Sequence, residues 1–418
     1  MRFLSALILC VVFGALIATA TPREDELGAG SVSSSLGGAG LASLGEPAAT
    51  YLNPANLSLC KRSTAEVGVR YIGSFFSANQ TSTTPSNVNL LGNVVAGEVG
   101  GCIVPLEGFG IGIWASNNVL RPVTLAIDTL DDDIYFARFG DAIGSPTIMA
   151  GVGYAFIPWL SLGVSIFIHS TINISQEVFA PLSAAPNPFK ANIRAQFSPR
   201  AGVLAGLSLR PFDFLELGAT FRTENYGALN VDSRTSARYL MDIGPIHVTL
   251  AGLYDYSPRQ YSFGVTARPI SDLSLYVDLN IVQWSLYPGP FDSATPDPAS
   301  AISVGIQFPP HEDFTFRDVY IPRFGVEYAF AQGLTARVGY SYHPAIVGLP
   351  QFTANLVDND THQIALGAGY RTQGETVAFK VDGFVGVHLM PQAVVAKSSP
   401  YTFGGTALAT GFTTGLEF

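Results

Sequence analysis

The segment Leu273-Ser274-Leu275-Tyr276-Val277-Asp278-Leu279-Asn280-Ile281 alternates apolar and polar residues without a break. Successive side chains of a strand point to opposite faces, so this segment reads as a strand with one apolar and one polar face. The polar face carries Ser, Tyr, Asp and Asn rather than a run of Lys and Glu. Small polar residues with sparse charge suit a crowded, hydrated interior, which leaves the apolar face to look outward.

The same pattern recurs along the chain. Leu215, Leu217, Ala219 and Phe221 oppose Glu216, Thr220, Arg222 and Glu224, and Phe324, Val326 and Tyr328 oppose Arg323, Gly325 and Glu327. Ile364, Leu366, Ala368 and Tyr370 oppose Gln363, Gly367 and Arg371, while Val377, Phe379, Val381, Val385 and Val387 oppose Lys380, Asp382 and His388. About 14 segments have the length to span a membrane as strands. They begin near Ala65, Leu91, Gly110, Thr147, Leu160, Phe197, Leu215, Val248, Leu273, Val319, Leu334, Thr361, Glu375 and Gly404. Their connections alternate in kind. Short turns fall at Glu107, Pro158, Phe212, Ile270, Gln332 and Gln373, and long loops at 77–89, 120–144, 173–195, 225–242, 287–314, 344–358 and 390–404. Short turns on one side and long loops on the other predict an all-β protein, a transmembrane antiparallel β-barrel. The last segment ends in an alternating run that closes on Phe418, the terminal aromatic expected to meet the barrel assembly machinery.

Composition agrees. The 418 residues are 48% hydrophobic and 13% charged, with mean hydropathy +0.30. Disorder needs the opposite balance. A bundle of membrane helices needs repeated apolar runs of about 18 residues or more, and only Phe3 to Ile17 comes near. That run follows Arg2 and precedes Ala18-Thr19-Ala20, the pattern of a secretory signal peptide. The expected divisions are a signal peptide at 1–20, a lumenal segment at 21–62 and the barrel at 63–418. A net charge of −10 argues against nucleic acid as a partner. The six histidines show no metal-ligand spacing and no Gly-x-Ser-x-Gly elbow occurs, so no enzyme activity, catalytic residue, metal or cofactor is expected. Cys60 precedes the first strand and Cys102 ends the second, which places both near one rim. A disulfide and a pair of buried or free thiols are both open there. Asp131-Asp132-Asp133 sits in a long loop, as a solvated acidic turn or a cation bridge to lipopolysaccharide.

From Thr21 to about Arg62 the alternation is missing and Gly, Ala and Ser dominate. Small side chains let backbone approach strands closely, as in a plug within a lumen. Gly37-Gly38-Ala39-Gly40, Glu46, Asn53-Pro54-Ala55 with Leu57, and Glu66-Val67-Gly68-Val69-Arg70-Tyr71-Ile72 resemble the start of the FadL/TodX-type long-chain fatty-acid transporter family, as does Phe221-Arg222-Thr223-Glu224 further on. The resemblance implies a barrel of 14 strands with an N-terminal hatch containing Asn53, Pro54 and Ala55. It also implies capture of a hydrophobic compound between outer loops, passage to a lumen pocket, and a lateral opening at a kinked strand. One departure is Arg23-Glu24-Asp25-Glu26, charged where the family's mature N-terminus is short and apolar.

Phe179, Leu182, Phe189, Leu240 and Met241 are apolar residues in two long loops, and exposed apolar patches usually mark interaction sites. They are the candidate capture groove, with mutual packing as a lid the alternative. Arg222 and Arg323 are candidates for a substrate head group, with bracing of the lumen by ion pairs the alternative. The sequence therefore points to passive uptake of hydrophobic small molecules such as long-chain fatty acids, by a monomer in the outer membrane of a Gram-negative bacterium, in contact with lipid and lipopolysaccharide. A structural or secretion-associated scaffold barrel and a general porin are the alternatives.

Overall fold

The computed structural model describes residues 23–80, 87–118, 135–136, 147–181, 190–238, 246–287, 291–296, 315–347, 356–372, 374, 376–395 and 401–418. The signal peptide, the Asp131–Asp133 turn, and Leu182, Phe189, Leu240 and Met241 lie outside the described residues.

Fourteen antiparallel strands close into a barrel. They are β1 (Thr64–Gln80), β2 (Asn87–Leu106), β3 (Phe109–Asn118), β4 (Thr147–Ile157), β5 (Leu160–Pro181), β6 (Lys190–Phe212), β7 (Leu215–Arg222), β8 (Arg259–Ile270), β9 (Leu273–Gln283), β10 (Val319–Ala329), β11 (Leu334–His343), β12 (Thr361–Arg371), β13 (Ala378–Val395) and β14 (Tyr401–Glu417). Each pairs with the next. Closure comes from β1 and β14, in register from Thr64 opposite Glu417 to Gln80 opposite Tyr401. The Phe418 N–H donates to the Ser63 carbonyl at 3.0 Å, so both ends of the wall meet at one rim. Closure pairs the first strand with the last, so neither is left as an open edge of the sheet.

The alternation settles which way each face looks. On β9, Leu275, Val277 and Leu279 are exposed on the outer surface, whereas Ser274, Tyr276, Asp278 and Asn280 are buried within. On β1, Val67, Val69 and Phe75 look out and Glu66, Arg70 and Ser74 look in. An outer face this apolar needs an apolar solvent, and lipid supplies one. Aromatic residues gather outside the short-turn rim: Phe156, Trp159, Phe212, Phe214 and Phe330 are all exposed, and Phe212 stacks on Phe214 at 5.5 Å. This is the arrangement of an interfacial girdle.

The eighth strand differs from the sequence reading. The wall strand begins at Arg259, and the segment around Val248 belongs to Ile246–Ser257, which lies outside the wall. That strand pairs with Asn225–Arg238 and with Phe291–Pro296. Asn225–Arg238 in turn runs parallel to the far half of β5. The stretches 173–195 and 225–242 are thus largely strand rather than loop. Phe179 stands on β5, opposite Lys190 of β6 and beside Ser236. These extensions project past the apolar band, where neither face is required to be apolar, so they carry no strict alternation for a sequence reading to detect.

The lateral opening implied by the resemblance is not seen among the described residues. Register shifts in the wall fall next to the short turns, apart from one bulge between Met390 and Ala393. Leu366, at the middle of β12, is 54% exposed on the outer face. Replacing it with Arg is expected to destabilise the barrel by roughly 2–4 kcal/mol, measured by urea unfolding in lipid vesicles, with Leu366→Ala costing less.

Candidate functional site

Residues 23–62 form α1 (Arg23–Leu27), α2 (Gly30–Ser35), α3 (Ala49–Leu52) and a 3-10 helix, Pro54–Leu59. Nearly all of this segment is buried against inward-facing wall residues. Asn53 organises the tightest part. Its side-chain oxygen accepts from the Ala55 N–H at 3.1 Å, capping the 3-10 helix, while Pro54 supplies a fixed φ at the first helical position. Its amide nitrogen donates to the carbonyls of Leu41 and of Leu207 on β6, both at 3.1 Å.

The wall receives this turn with glycine. Gly110, Gly153, Gly163 and Gly206 stand side by side across β3, β4, β5 and β6. A Cβ on Gly163 would lie 2.3 Å from the Ala55 nitrogen, and one on Gly206 would lie 2.1 Å from the Asn53 Oδ1. Two further pairs repeat the device: Gly218 opposite Gly264 beneath Leu41 and Ala42, and Gly325 opposite Gly339 beneath Leu36. On the plug side, Gly37 and Gly38 have φ of 68° and 81°, a left-handed conformation that L side chains rarely adopt.

The acidic N-terminal helix is buried too, and each acid has its own partner. Glu24 accepts from the Thr147 hydroxyl at 3.2 Å. Asp25 accepts from Arg222 at 2.8 Å and from the Tyr51 hydroxyl at 2.6 Å. Glu26 lies 3.1 Å from His343 Nδ1. The Arg222 guanidinium also lies over the Tyr51 ring, 4.4 Å from its centroid. Arg323 donates to the carbonyls of Gly38 and Asp25, and Asp278 accepts the N–H groups of Gly40 and Leu41 at 2.8 and 3.0 Å. The charged N-terminus that departed from the family pattern is therefore matched by polar and cationic side chains of the wall. Arg222 and Arg323 line one cleft with Asp25, Tyr51, Asn280 and Asp278, and the space left in it is about 20 Å³, room for about one water. In this state the lumen is filled at that level.

A second charge cluster lies on β1 and β13. Lys380 contacts Glu66 at 2.6 Å and Glu46 of the plug at 3.5 Å. Arg337 joins Glu327 and Asp382, both at 2.6 Å. Burial pushes the Glu46 carboxyl up to about 7; Lys380 and Arg337 oppose the rise, and Glu66 and Asp382 add to it.

Above the polar cleft, toward the long loops, the lumen turns apolar. Val282 and Trp284 follow Asn280, and Val319 and Ile321 precede Arg323. Together with Tyr256, Phe316, Ile346 and Val347 they form one buried cluster. Tyr287 joins it, stacked on Tyr256 at 4.6 Å and 4.7 Å from Phe316. The sequence reading did not single out these residues. Trp284 and Tyr287, just past the end of an alternating strand, were the available signal. Phe179 is on the β5 extension.

The fold can now be compared with known ones. A Pseudomonas aeruginosa FadL homologue superposes with TM-score 0.61 at 14% identity, covering 93% of this chain and 97% of that one. The toluene transporter TodX of P. putida gives 0.57 at 14%, covering 94% and 99%. The Ralstonia pickettii toluene transporter TbuX gives 0.54 at 16%, covering 93% and 98%. The fold is that of the FadL/TodX-type channels. At the level of sequence, no family model and no curated protein matches the chain.

Two outcomes are expected for the lumenal segment, residues 23–62. Gly163→Ala places a methyl against backbone that cannot yield, so the plug is expected to unseat, read as a higher planar-bilayer conductance than that of the unaltered protein. The Glu46 carboxyl is raised from an ordinary 4.5 to about 7. Its penalty is absent below about 4.5, grows as pH rises through that window, and is complete above about 7, at roughly 3 kcal/mol at most. Plug docking is expected to be firmer at pH 5 than at pH 8 by protease protection, with the difference lost in Glu46→Gln.

Proposed function

We propose that the chain is a plugged outer-membrane channel of a Gram-negative bacterium for passive uptake of hydrophobic small molecules, with residues 21–62 as its hatch. The observation that carries this reading is the layering of the lumen. A packed aromatic cluster of Tyr256, Trp284, Tyr287 and Phe316, which a solute enters as a chamber when its rings part, lies above a cleft holding Arg222 and Arg323. An apolar solute gains by leaving water for the chamber, and the hatch closes the path below it to ions. The solved neighbours TodX and TbuX are toluene transporters, which favours the same class of solute. A fold alone does not assign a cargo.

Within this reading, a long-chain fatty acid fits both layers, with its tail among the aromatic rings and its carboxylate toward the arginines. Arg222 already holds the Asp25 carboxylate, so a fatty acid reaches it by displacing α1, and that displacement releases the hatch. The names of the neighbours favour a second reading, a monoaromatic hydrocarbon that stops in the chamber. The groove assigned to Phe179, Leu182, Phe189, Leu240 and Met241 extends the path outward. Lipopolysaccharide contact, assembly through Phe418 and a monomeric state belong to the same proposal.

The test separates the two cargoes. In the purified protein, oleate is expected to speed cleavage after Glu24 and Glu26 by a glutamyl protease, whereas toluene leaves it unchanged. In cells, Trp284→Ala with Phe316→Ala is expected to lower uptake of either cargo several-fold while heat-modifiable mobility shows an assembled barrel. Uptake unchanged by the double substitution sinks the chamber, and no effect of oleate on cleavage sinks the fatty-acid reading alone.

A further inference from the structure

Cys60 and Cys102 are the two cysteines among the described residues, and both are buried free thiols. Cys60 ends the 3-10 helix of the plug. Cys102 is on β2, opposite Thr64, the first residue of β1. They share one small buried cluster with Ala49 and Leu57, and the Cys60 thiol is hydrogen-bonded to that of Cys102. The rest of the cluster is aliphatic, and no acid or histidine is part of it. Nothing in the transport path described above uses either thiol.

We propose that Cys60 and Cys102 form a disulfide in the exported protein, a covalent clamp that ties the foot of the plug to the wall. The two side chains already share one buried cluster, so the bond joins neighbours. Its chemistry is thiol–disulfide exchange. Two S–H bonds break and one S–S bond forms. The two electrons and two protons pass to the disulfide of a periplasmic thiol oxidant, which leaves as a dithiol. Timing follows from the surroundings. The hydrogen bond from Cys102, together with burial, raises the Cys60 thiol well above its ordinary range, and the thiolate is the attacking species. Oxidation therefore precedes seating of the plug, while the cysteines are still open to the oxidant.

The clamp divides the hatch in two. The foot from Pro54 to Cys60, seated on the glycine row, is held at both ends once Cys60 is bonded to β2. The arm from α1 to α3 is held without a covalent bond, by ion pairs, hydrogen bonds and apolar contacts such as Leu27 with Ile72 and Phe384 and Ala29 with Trp114, so a substrate that displaces α1 releases the arm and leaves the foot in place. The bridge itself rests only on export of the chain, not on the identity of the cargo.

The experiment uses full-length protein expressed with its own leader and purified from the outer-membrane fraction. The chain is unfolded without reductant, treated with iodoacetamide and digested. The expected result is a Cys60–Cys102 linked peptide pair and no alkylation at either residue, with complete alkylation of both after reduction. Seating of the foot is read by the urea midpoint, expected to fall on reduction of the native protein and to stay unchanged by reductant in Cys60→Ser. Two alkylated cysteines in unreduced protein from the outer-membrane fraction overturn the clamp and leave the transport reading standing. A bridge to a second chain overturns it as well. Absence of the protein from that fraction overturns export, and the clamp with it.

Discussion

Close backbone contact between plug and wall is the constraint on which the rest of the structure depends. A barrel of fourteen strands encloses more space than its own inward side chains fill, and here the space is taken by some forty residues of the same chain. They fit because the wall withdraws its side chains where the plug comes nearest. The row Gly110, Gly153, Gly163 and Gly206 gives the Asn53–Leu57 turn a floor of bare backbone. Asn53 then uses that closeness, reaching across to the Leu207 carbonyl while capping its own helix. With any larger residue in the row, this bond and the cap are displaced together.

Once the foot is seated, the remaining plug has to satisfy its polar groups away from bulk water, where an unpaired charge is costly. The pairing is one acid to one strand: Glu24 with Thr147, Asp25 with Arg222 and Glu26 with His343. The same arginines are the only described cations bordering the cleft beneath the aromatic chamber. Bracing and recognition are thus two uses of one set of side chains. A cargo with a carboxylate competes with Asp25, and a hydrocarbon does not. The apolar chamber and the cationic cleft follow one another along β9 and β10, where Val282 gives way to Asn280 and Asp278, and Ile321 to Arg323.

Much of the wall was legible in the sequence because lipid enforces a simple rule. Every outward position within the apolar band has to be apolar, so period-two alternation marks strands such as Leu273–Gln283 and Thr361–Arg371 plainly. Outside the band the rule lapses. Asn225–Arg238 and Ile246–Ser257 fold as strands that pair with each other, the first also with the far half of β5, and the eighth wall strand begins only at Arg259, later in the chain than the alternation suggests. The site was less legible. Arg222 and Arg323 were found as inward charges, but their partners sit 197 and 298 residues away at Asp25, and no local spacing encodes such a pairing. The acids of α1 stood out only as an exception to a family resemblance.

The sequence by itself determined an antiparallel barrel of about fourteen strands, the side on which its turns are short, the inward or outward sense of residues on the plainly alternating strands, and a segment before the first strand that does not belong to the wall. These are local properties, set by alternation and by turn chemistry over a few residues. Only the tertiary structure decided that glycines on four strands line up in one row, that the three acids of one helix find Thr147, Arg222 and His343 on three separate strands, that Trp284 and Phe316 meet in one cluster, and that Cys60 packs in the same cluster as Cys102. Each of these depends on strand register and on closure of the barrel. Closure brings the first and last strands of the wall together, and no local pattern records which distant residues then become neighbours.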